Sequence, residues 1–158
     1  MRAQQTYDTA PLGSLIRFSN GEARPPARFT RKVRAWEDDN GGGRLVERSP
    51  ECIAQTYRSS ASFVLHVANY GSQGTIVLVV NRGFSVTSPL DFEITEMPRP
   101  GMVRLLTPIG GHEYLQHLAA DMADAERWMA IHHYHNIRAE VVGDPDHVAL
   151  PPVIRRAA

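Results

Sequence analysis

Cysteine is almost absent from this sequence, which contains Cys52 and no other. A single cysteine excludes an internal disulfide and is typical of proteins kept in a reducing compartment, so we expect a cytoplasmic protein. Long apolar runs are also missing. The longest is Ile76–Val80, far shorter than the roughly 20 residues of a membrane-spanning helix, so we expect no membrane association. Residues 1–5 are followed by no apolar stretch, so we also expect no secretory signal.

Lysine is nearly absent as well, because 16 of the 17 basic side chains are arginine and Lys32 is the exception. This bias is typical of a GC-rich coding genome, and we expect a bacterial protein. The formal net charge is zero, with a balance of +3 over residues 1–60 and of −3 over residues 61–158. A neutral chain exerts no strong overall attraction on nucleic acid, so any such binding has to come from a local patch.

Motifs of the common catalytic and nucleotide-binding sites are missing. The sequence has no Gly-x-Gly-x-x-Gly and no phosphate-binding loop, and Gly41–Gly43 follows a predicted helix instead of opening one. Cys52 has no assignable base, and Ser59, Ser60 and Ser62 lie outside a nucleophile elbow. The sequence therefore favours a non-enzymatic binding protein without a cofactor.

Alternating and helical periodicities predict a single α+β domain over residues 14–142. Its sheet is expected to be mainly antiparallel with about five to seven strands, and two amphipathic helices, at about 27–39 and 121–133, are expected to pack against it. Residues 1–13 are predicted to form a flexible arm. Residues 143–158, which contain three prolines, are predicted to form an extended tail.

Three strand predictions depend on the pattern of apolar residues. Residues 90–95 alternate strictly, so Leu90, Phe92 and Ile94 are expected to face the core. Residues 61–68 place Phe63, Leu65 and Val67 on one face in the same way. Thr75–Val80 is apolar on both faces, which predicts a central strand that is covered on both sides.

The ends of the two helices are predicted from their capping residues. Asp121 is the expected N-cap of the second helix. Asn40 and Gly41–Gly43 are expected to end the first, because glycine accepts the left-handed conformation of a C-cap. Trp36 and Trp128 lie on the apolar stripes of these helices, so we expect both to be core anchors.

The segment Arg24–Arg34 is the most suggestive for function, because five of its eleven residues are cations: Arg24, Arg28, Arg31, Lys32 and Arg34. On the predicted helix, the last three arginines project opposite the apolar stripe of Phe29, Val33 and Trp36 and span about 120°. Cations crowd the N-terminal half, where the helix dipole is positive, and acids crowd the C-terminal end. Each such placement costs about 0.3–1 kcal/mol at low salt, so stability alone does not explain this order.

Two kinds of partner fit these cations. Guanidinium groups bind phosphate and carboxylate oxygens in pairs, so the segment predicts contact either with nucleic acid or with an acidic protein surface. One version of the second is an accessory or inhibitor protein that docks on a nucleic-acid-handling complex. A solvated helix face explains the same residues without a partner, with Arg34 and Asp38 as an i,i+4 ion pair. A structural, self-associating subunit is the third class that the composition allows.

Histidine is abundant, with seven residues in the chain. His132, His133 and His135 are candidate ligands of a divalent metal, with another histidine brought near by the predicted hairpin that contains residues 112–118. This pattern carries a competing hypothesis, a metal-dependent enzyme. Helical projection places His132 on the same stripe as Trp128, which predicts that it packs toward the core instead. The sequence therefore favours a protein without a bound metal.

Two shorter histidine patterns are weaker candidates for a metal site. His112 and His117 look superficially like a metalloprotease helix motif, but their i,i+5 spacing separates the imidazoles by about 140° on a helix and puts them on opposite faces of a strand. That motif is rejected. Asp144–His147 offers oxygen and nitrogen ligands, although Asp-Pro-Asp sequences of this kind are commonly surface turns.

Overall fold

The structure is a computed structural model that describes residues 1–72 and 75–143. Its elements follow the order α1 (Ala3–Thr9), β1 (Leu15–Ser19), α2 (Thr30–Asp39), β2 (Gly41–Ser49), β3 (Cys52–Ile53), β4 (Arg58–Ser59), β5 (Ser62–Ser72), β6 (Thr75–Ser85), β7 (Asp91–Glu96), β8 (Val103–Ile109), β9 (His112–Ala119), α3 (Met122–Ile131) and β10 (Arg138–Val141). The α+β class is confirmed, and the main sheet has eight strands, more than predicted. The predicted tail, apart from Gly143, and the Asp144–His147 pattern lie outside the described residues.

The main sheet is organised around β2, which pairs with three other strands. It pairs with β1 through its first residues, with β5 over residues 44–49, and with β9 at Glu47. From these neighbours the sheet continues to β7, to β6, and through β8 to β10. Each pairing is antiparallel. This branching brings distant parts of the chain together around β2.

Four phenylalanines form the centre of the main core. They come from β1, β5, β6 and β7, and neighbouring ring centroids lie between 4.9 and 5.7 Å apart: Phe18, Phe63, Phe84 and Phe92. The predicted inward face of β7 is confirmed, because Phe92 is buried and Leu90 and Ile94 pack against the same core. A second core lies between α3 and the β8–β9 hairpin, where Ala125 packs near Leu105 and Ala119.

The N-terminal residues form a packed helix rather than the flexible arm that the sequence predicts. Ala3, Thr6 and Ala10 are fully buried, and the amino group of Met1 donates to the carbonyl oxygen of Phe92 at 2.7 Å. Small side chains at these positions let α1 approach β7 closely. The prediction was wrong because the buried face consists of alanine and threonine, which give no strong apolar signal. The buried Thr6 is tolerated because its hydroxyl donates a hydrogen bond to the carbonyl oxygen of Arg2.

The glycine run does not cap α2, contrary to prediction, but begins β2. Asn40 is extended, and the positive-φ glycines of the described residues do not include Gly41–Gly43. Close backbone approach explains these glycines instead. A Cβ atom on Gly43 would lie 2.6 Å from the carbonyl oxygen of His66, and one on Gly41 would lie 3.0 Å from the ring of Phe18.

The predicted central position of Thr75–Val80 was also wrong. These residues belong to β6, which pairs only with β5 among the described strands, and Val79 is half exposed. Val67 is exposed as well, although Phe63 and Leu65 are buried as predicted. Both residues are exposed because β2 pairs with β5 only as far as His66, so the rest of the β5–β6 hairpin extends past the end of β2.

Both predicted helices are present with shorter bounds. α2 begins at Thr30 because the preceding residues form a turn in which the Phe29 N–H donates to the Pro26 carbonyl. The N-cap of α3 is confirmed, since Asp121 Oδ1 accepts from the Asp124 N–H at 2.8 Å. Among the described residues, no helix combines the length and the apolar character that crossing a membrane requires.

Candidate functional site

Helix α2 is held to the rest of the fold by contacts near its C-terminal end. None of its residues is buried, and only Val33, Trp36 and Asp39 are half-buried. The indole N–H of Trp36 donates to the carbonyl oxygen of Glu22 at 2.8 Å. Asn40 joins the helix to β1, because its Oδ1 accepts from the hydroxyl of Ser19 at 2.6 Å and its Nδ2 donates to the Trp36 carbonyl. The N-terminal half of α2 is therefore left exposed.

Two of the three acids at the C-terminal end of α2 are paired with cations elsewhere in the fold. Arg24 contacts Glu37 at 3.3 Å, and Arg82 contacts Asp39 at 3.6 Å. These cations lie beside the two acids and offset part of the unfavourable charge order along the helix, although exposed pairs of this kind contribute little to stability. Arg24, predicted as a binding residue, thus has a carboxylate partner within the protein.

Among the residues that the structure describes, the other predicted binding residues have no such partner. Four exposed cations form what we call the cationic surface: Arg28, Arg31, Lys32 and Arg34. Across residues 1–72 and 75–143, none of the four takes part in an ion pair, and the predicted Arg34–Asp38 pair is not formed. The side chains of Arg28 and Lys32 lie over the ring of Phe29, at 4.7 and 5.2 Å from its centroid. Their positive charge is left unneutralised by neighbouring carboxylates.

An open hollow of about 860 Å³ lies beside α2. β1, β2 and β5 line most of it, Trp36 contributes from α2, and Gly41–Gly43 supply backbone without side chains. A second hollow of about 570 Å³ adjoins the first, because Arg44 and His66 line both. We call the two hollows together the groove.

The second hollow is lined by polar and aromatic side chains that the sheet brings together. His66 Nδ1 lies 3.2 Å from Asn81 Oδ1, and Asn81 Nδ2 donates to the hydroxyl of Tyr114 at 2.9 Å. These contacts join β5, β6 and β9 across the groove. Arg44 donates to the carbonyl oxygen of Gly13 at 2.6 Å, a neutral acceptor that leaves its charge uncompensated.

An aromatic stack forms the far wall of the groove. The ring of Trp128 lies nearly parallel to three others, with centroid distances of 5.2 Å to His117, 4.1 Å to His132 and 5.6 Å to Tyr134. Burial lowers the pKa of His117. The carboxylate of Asp124, 4.0 Å from Nε2, opposes that shift, while the positive charges of His132 and Arg44 add to it. His117 is therefore held in its neutral form inside the stack.

A pH-dependence of stability follows from His117. Below about pH 6.5 the unfolded chain takes up a proton that folded His117 resists, so stability falls as the pH drops through that region. We expect His117→Gln to make the free energy of unfolding less dependent on pH than in the wild type. Denaturant titrations at about pH 5.5 and 7.5 measure this dependence. His133→Gln, at an exposed site, serves as the control and keeps the wild-type dependence; an unchanged dependence in His117→Gln would contradict the prediction.

The candidate metal ligands are not gathered into one site. His132 stacks on Trp128, and its Nδ1 lies 3.0 Å from the Trp128 carbonyl oxygen, so it packs as the helical projection predicts. His133 and His135 are exposed. Within residues 1–72 and 75–143, no three histidine, cysteine, aspartate or glutamate side chains lie close enough to hold a metal ion. The geometry of these residues gives the metal-dependent enzyme no support.

One cluster outside the groove resembles a catalytic triad in composition. His112 Nε2 lies 2.6 Å from Glu47 Oε1 and 3.5 Å from the hydroxyl of Ser49. A serine nucleophile needs the base on one ring nitrogen and the orienting carboxylate on the other. Here both contacts involve Nε2, and the Ser49 hydroxyl donates to Glu47 at 3.2 Å. The cluster is therefore a polar contact between β2 and β9 and not an activated serine.

Comparison with known proteins places the chain in a family. The family described as "Uncharacterised conserved protein UCP036055" matches residues 1–146. The chain belongs to this family. No curated protein and no solved structure matches the chain. In this family member, the matched range includes α2, the groove and the whole aromatic stack.

Sequence reasoning found the cationic surface but missed the groove. Trp36 and Trp128 were predicted as core anchors. Trp128 packs against the second core, but both tryptophans are half-buried and line the groove. The signal that could have found it is Gly41–Gly43 directly before Arg44, because glycines within a strand mark close backbone approach. Pairing between Arg44 and His66 depends on strands that are far apart in the sequence.

Proposed function

We propose that the protein binds nucleic acid through the cationic surface of α2. The observation that carries the proposal is the division of charge along this helix and the turn before it, which contains Arg28. Two of the helix's three acids, Glu37 and Asp39, have cationic partners within the fold, whereas the four cations of the surface have no carboxylate partner among the described residues. An exposed group of cations without internal partners attracts an external polyanion, and the phosphate backbone is the densest such target.

The type of cation supports phosphate as the ligand. Three of the four residues are arginine, and the planar guanidinium group matches two phosphate oxygens at once. Their position on an exposed helix half leaves several of them free to contact successive phosphates. The neutral net charge of the chain is no obstacle, because screening confines the effect of distant charges to within about 8–10 Å at physiological salt.

The proposal is tested by fluorescence anisotropy with labelled DNA and RNA at about 50 and 200 mM salt. If all four cations neutralise phosphates, affinity falls by about 50- to 150-fold between these salt concentrations. Charge reversal of Arg28, Arg31 and Arg34 to glutamate is expected to abolish measurable binding at the higher salt and to flatten the salt dependence.

The matched control reverses three exposed arginines elsewhere: Arg2, Arg99 and Arg127. It changes the net charge by the same amount, so a nonspecific effect of charge would weaken both variants equally. That result, or no binding to any nucleic acid at low salt, would refute the proposal. Circular dichroism spectra of both variants test whether they are folded.

An acidic protein surface is the alternative partner, and one observation favours it. Phe29 is 41% exposed beside the cationic surface, and a protein partner could bury its ring. Polyglutamate of matched length separates the two candidates. Tighter binding to polyglutamate than to nucleic acid would point to the acidic protein surface. Phe29→Ala would then be expected to weaken binding of the protein partner.

A further inference from the structure

Two arginines line the groove, Arg17 and Arg44. Three histidines line it as well: His66, His117 and His132. Among the described residues that line either hollow there is no aspartate or glutamate, and the acids Glu37 and Asp38 belong to a neighbouring hollow that shares Asn40 and Gly41 with the first. Arg17 lies on the exposed rim, where it contacts Glu93 at 2.7 Å. Arg44 has no carboxylate partner within residues 1–72 and 75–143, so it is the stronger candidate for an anionic ligand.

Aromatic rings line both ends of the groove. The two tryptophans of the sequence, Trp36 and Trp128, line different hollows, and Arg44 lines both. Tyr134 continues the stack on Trp128 and is 51% exposed, so much of its surface is open to a ligand. Flat exposed rings beside an unpaired cation match a ligand that carries both planar aromatic groups and negative charge.

The shape of the groove limits how that ligand can be arranged. Hollows of about 860 and 570 Å³ have the volumes that accept small planar groups. In double-stranded nucleic acid, the base faces are stacked inside the helix and only the base edges are accessible in the grooves. In single strands, the faces are free and stack on aromatic side chains.

We propose that the groove holds unpaired bases of a single-stranded nucleic acid. Tyr134 stacks on a base, Arg44 binds a backbone phosphate, and the cationic surface of α2 contacts the strand where it leaves the groove. This inference rests on the proposed function and specifies its substrate as single-stranded. Binding of phosphates by the cationic surface does not need the groove, whereas this inference gives the groove the role of holding the bases.

Intrinsic tryptophan fluorescence tests the groove directly, because both tryptophans line it. We expect a short oligothymidylate to quench this emission, since its bases contact the rings. Inorganic polyphosphate is expected to compete for the cationic surface without quenching. Trp36→Phe and Trp128→Phe then show which end of the groove contacts the bases.

Substitution of groove residues tests the same inference by affinity. Loss of one base stack costs roughly 5- to 150-fold, so Tyr134→Ala is expected to weaken binding of single strands by that factor and to leave duplex binding unchanged. Arg44→Gln keeps a hydrogen-bond donor and is expected to lower the salt slope for single strands by about 0.7, the value for one phosphate contact. Tyr57→Ala, at a tyrosine that is 63% exposed and does not line the groove, is the matched control and is expected to have no effect.

The outcomes separate the two proposals. Binding that charge reversal on α2 abolishes, without quenching and with equal affinity for single strands and duplexes, would overturn the groove inference and leave the proposed function standing. Equal quenching by polyphosphate would also overturn it, because bases would then not be involved. Quenching by oligothymidylate that persists after charge reversal on α2 would support the groove and refute the cationic surface as the binding site. No binding to any polyanion overturns both.

Discussion

Replacing Phe63 by alanine is expected to lower the free energy of unfolding by about 3–5 kcal/mol. Phe63 is fully buried, and its ring centroid lies 5.7 Å from that of Phe84 and 5.3 Å from that of Phe92. The variant loses the burial of the ring, leaves a cavity and removes two aromatic contacts. Because β5 is the strand that connects β2 to β6, the loss weakens the centre of the sheet.

Denaturant titration followed by circular dichroism measures the effect, and Phe29→Ala is the matched control. Phe29 is 41% exposed and contacts the side chains of Arg28 and Lys32 rather than the core. Its replacement is expected to change stability by less than about 0.5 kcal/mol, as at most surface positions. Equal losses in the two variants would show that the phenylalanine cluster is not the centre of the core.

The second large effect is expected for Gly43→Ala, which should destabilise the fold by at least about 1–3 kcal/mol. The added Cβ atom would lie 2.6 Å from the His66 carbonyl oxygen and 3.1 Å from Leu65 Cβ. The nearest atom belongs to the backbone of the paired strand, so the clash cannot be relieved by rotating a side chain. β2 and β5 have to separate where Arg44 pairs with His66.

Gly83→Ala provides the control within the same sheet. A Cβ atom at Gly83 meets nothing within 4 Å, and its φ is not in the positive range. Its replacement is expected to leave stability unchanged or to raise it by up to about 1 kcal/mol, because alanine restricts the unfolded chain. A melting temperature of Gly43→Ala equal to that of Gly83→Ala would contradict the close approach of β2 and β5.

The same substitution bears on the groove. Arg44 and His66 line both hollows, and their spacing depends on the strand contact at Gly43. A folded Gly43→Ala variant is therefore expected to change the groove as well as the stability. Glycine at this position thus contributes to the fold and to the candidate site through one backbone contact.

Local patterns were sufficient for the elements whose signals lie within a few residues. Strict alternation predicted the inward face of β7, with Phe92 buried, and the N-cap at Asp121 predicted the start of α3. Both depend on side-chain direction along a strand or on the first turn of a helix, and neighbouring residues determine these. The same local reasoning found the cations of α2.

Predictions failed where the decisive contact is distant in sequence. The composition of Thr75–Val80 indicated a central strand, but the number of neighbouring strands is a property of the sheet, and β6 pairs only with β5 among the described strands. Residues 1–13 were predicted as a flexible arm, but α1 forms there because its face of small residues packs against β7, about 90 residues away in the sequence. Apolar periodicity carries no information on either pairing.

The amino-acid sequence thus determined the α+β class, most of the strands and the presence of an exposed cationic helix. Tertiary structure decided which charges remain available. Arg24 and Arg82 pair with acids of α2, whereas Arg28, Arg31 and Arg34 have no carboxylate partner among the described residues. It also decided that two distant tryptophans line one groove. The physical reason is that charge neutralisation and cavity formation depend on distances between side chains from different strands, which arise only when β2 joins its three partners.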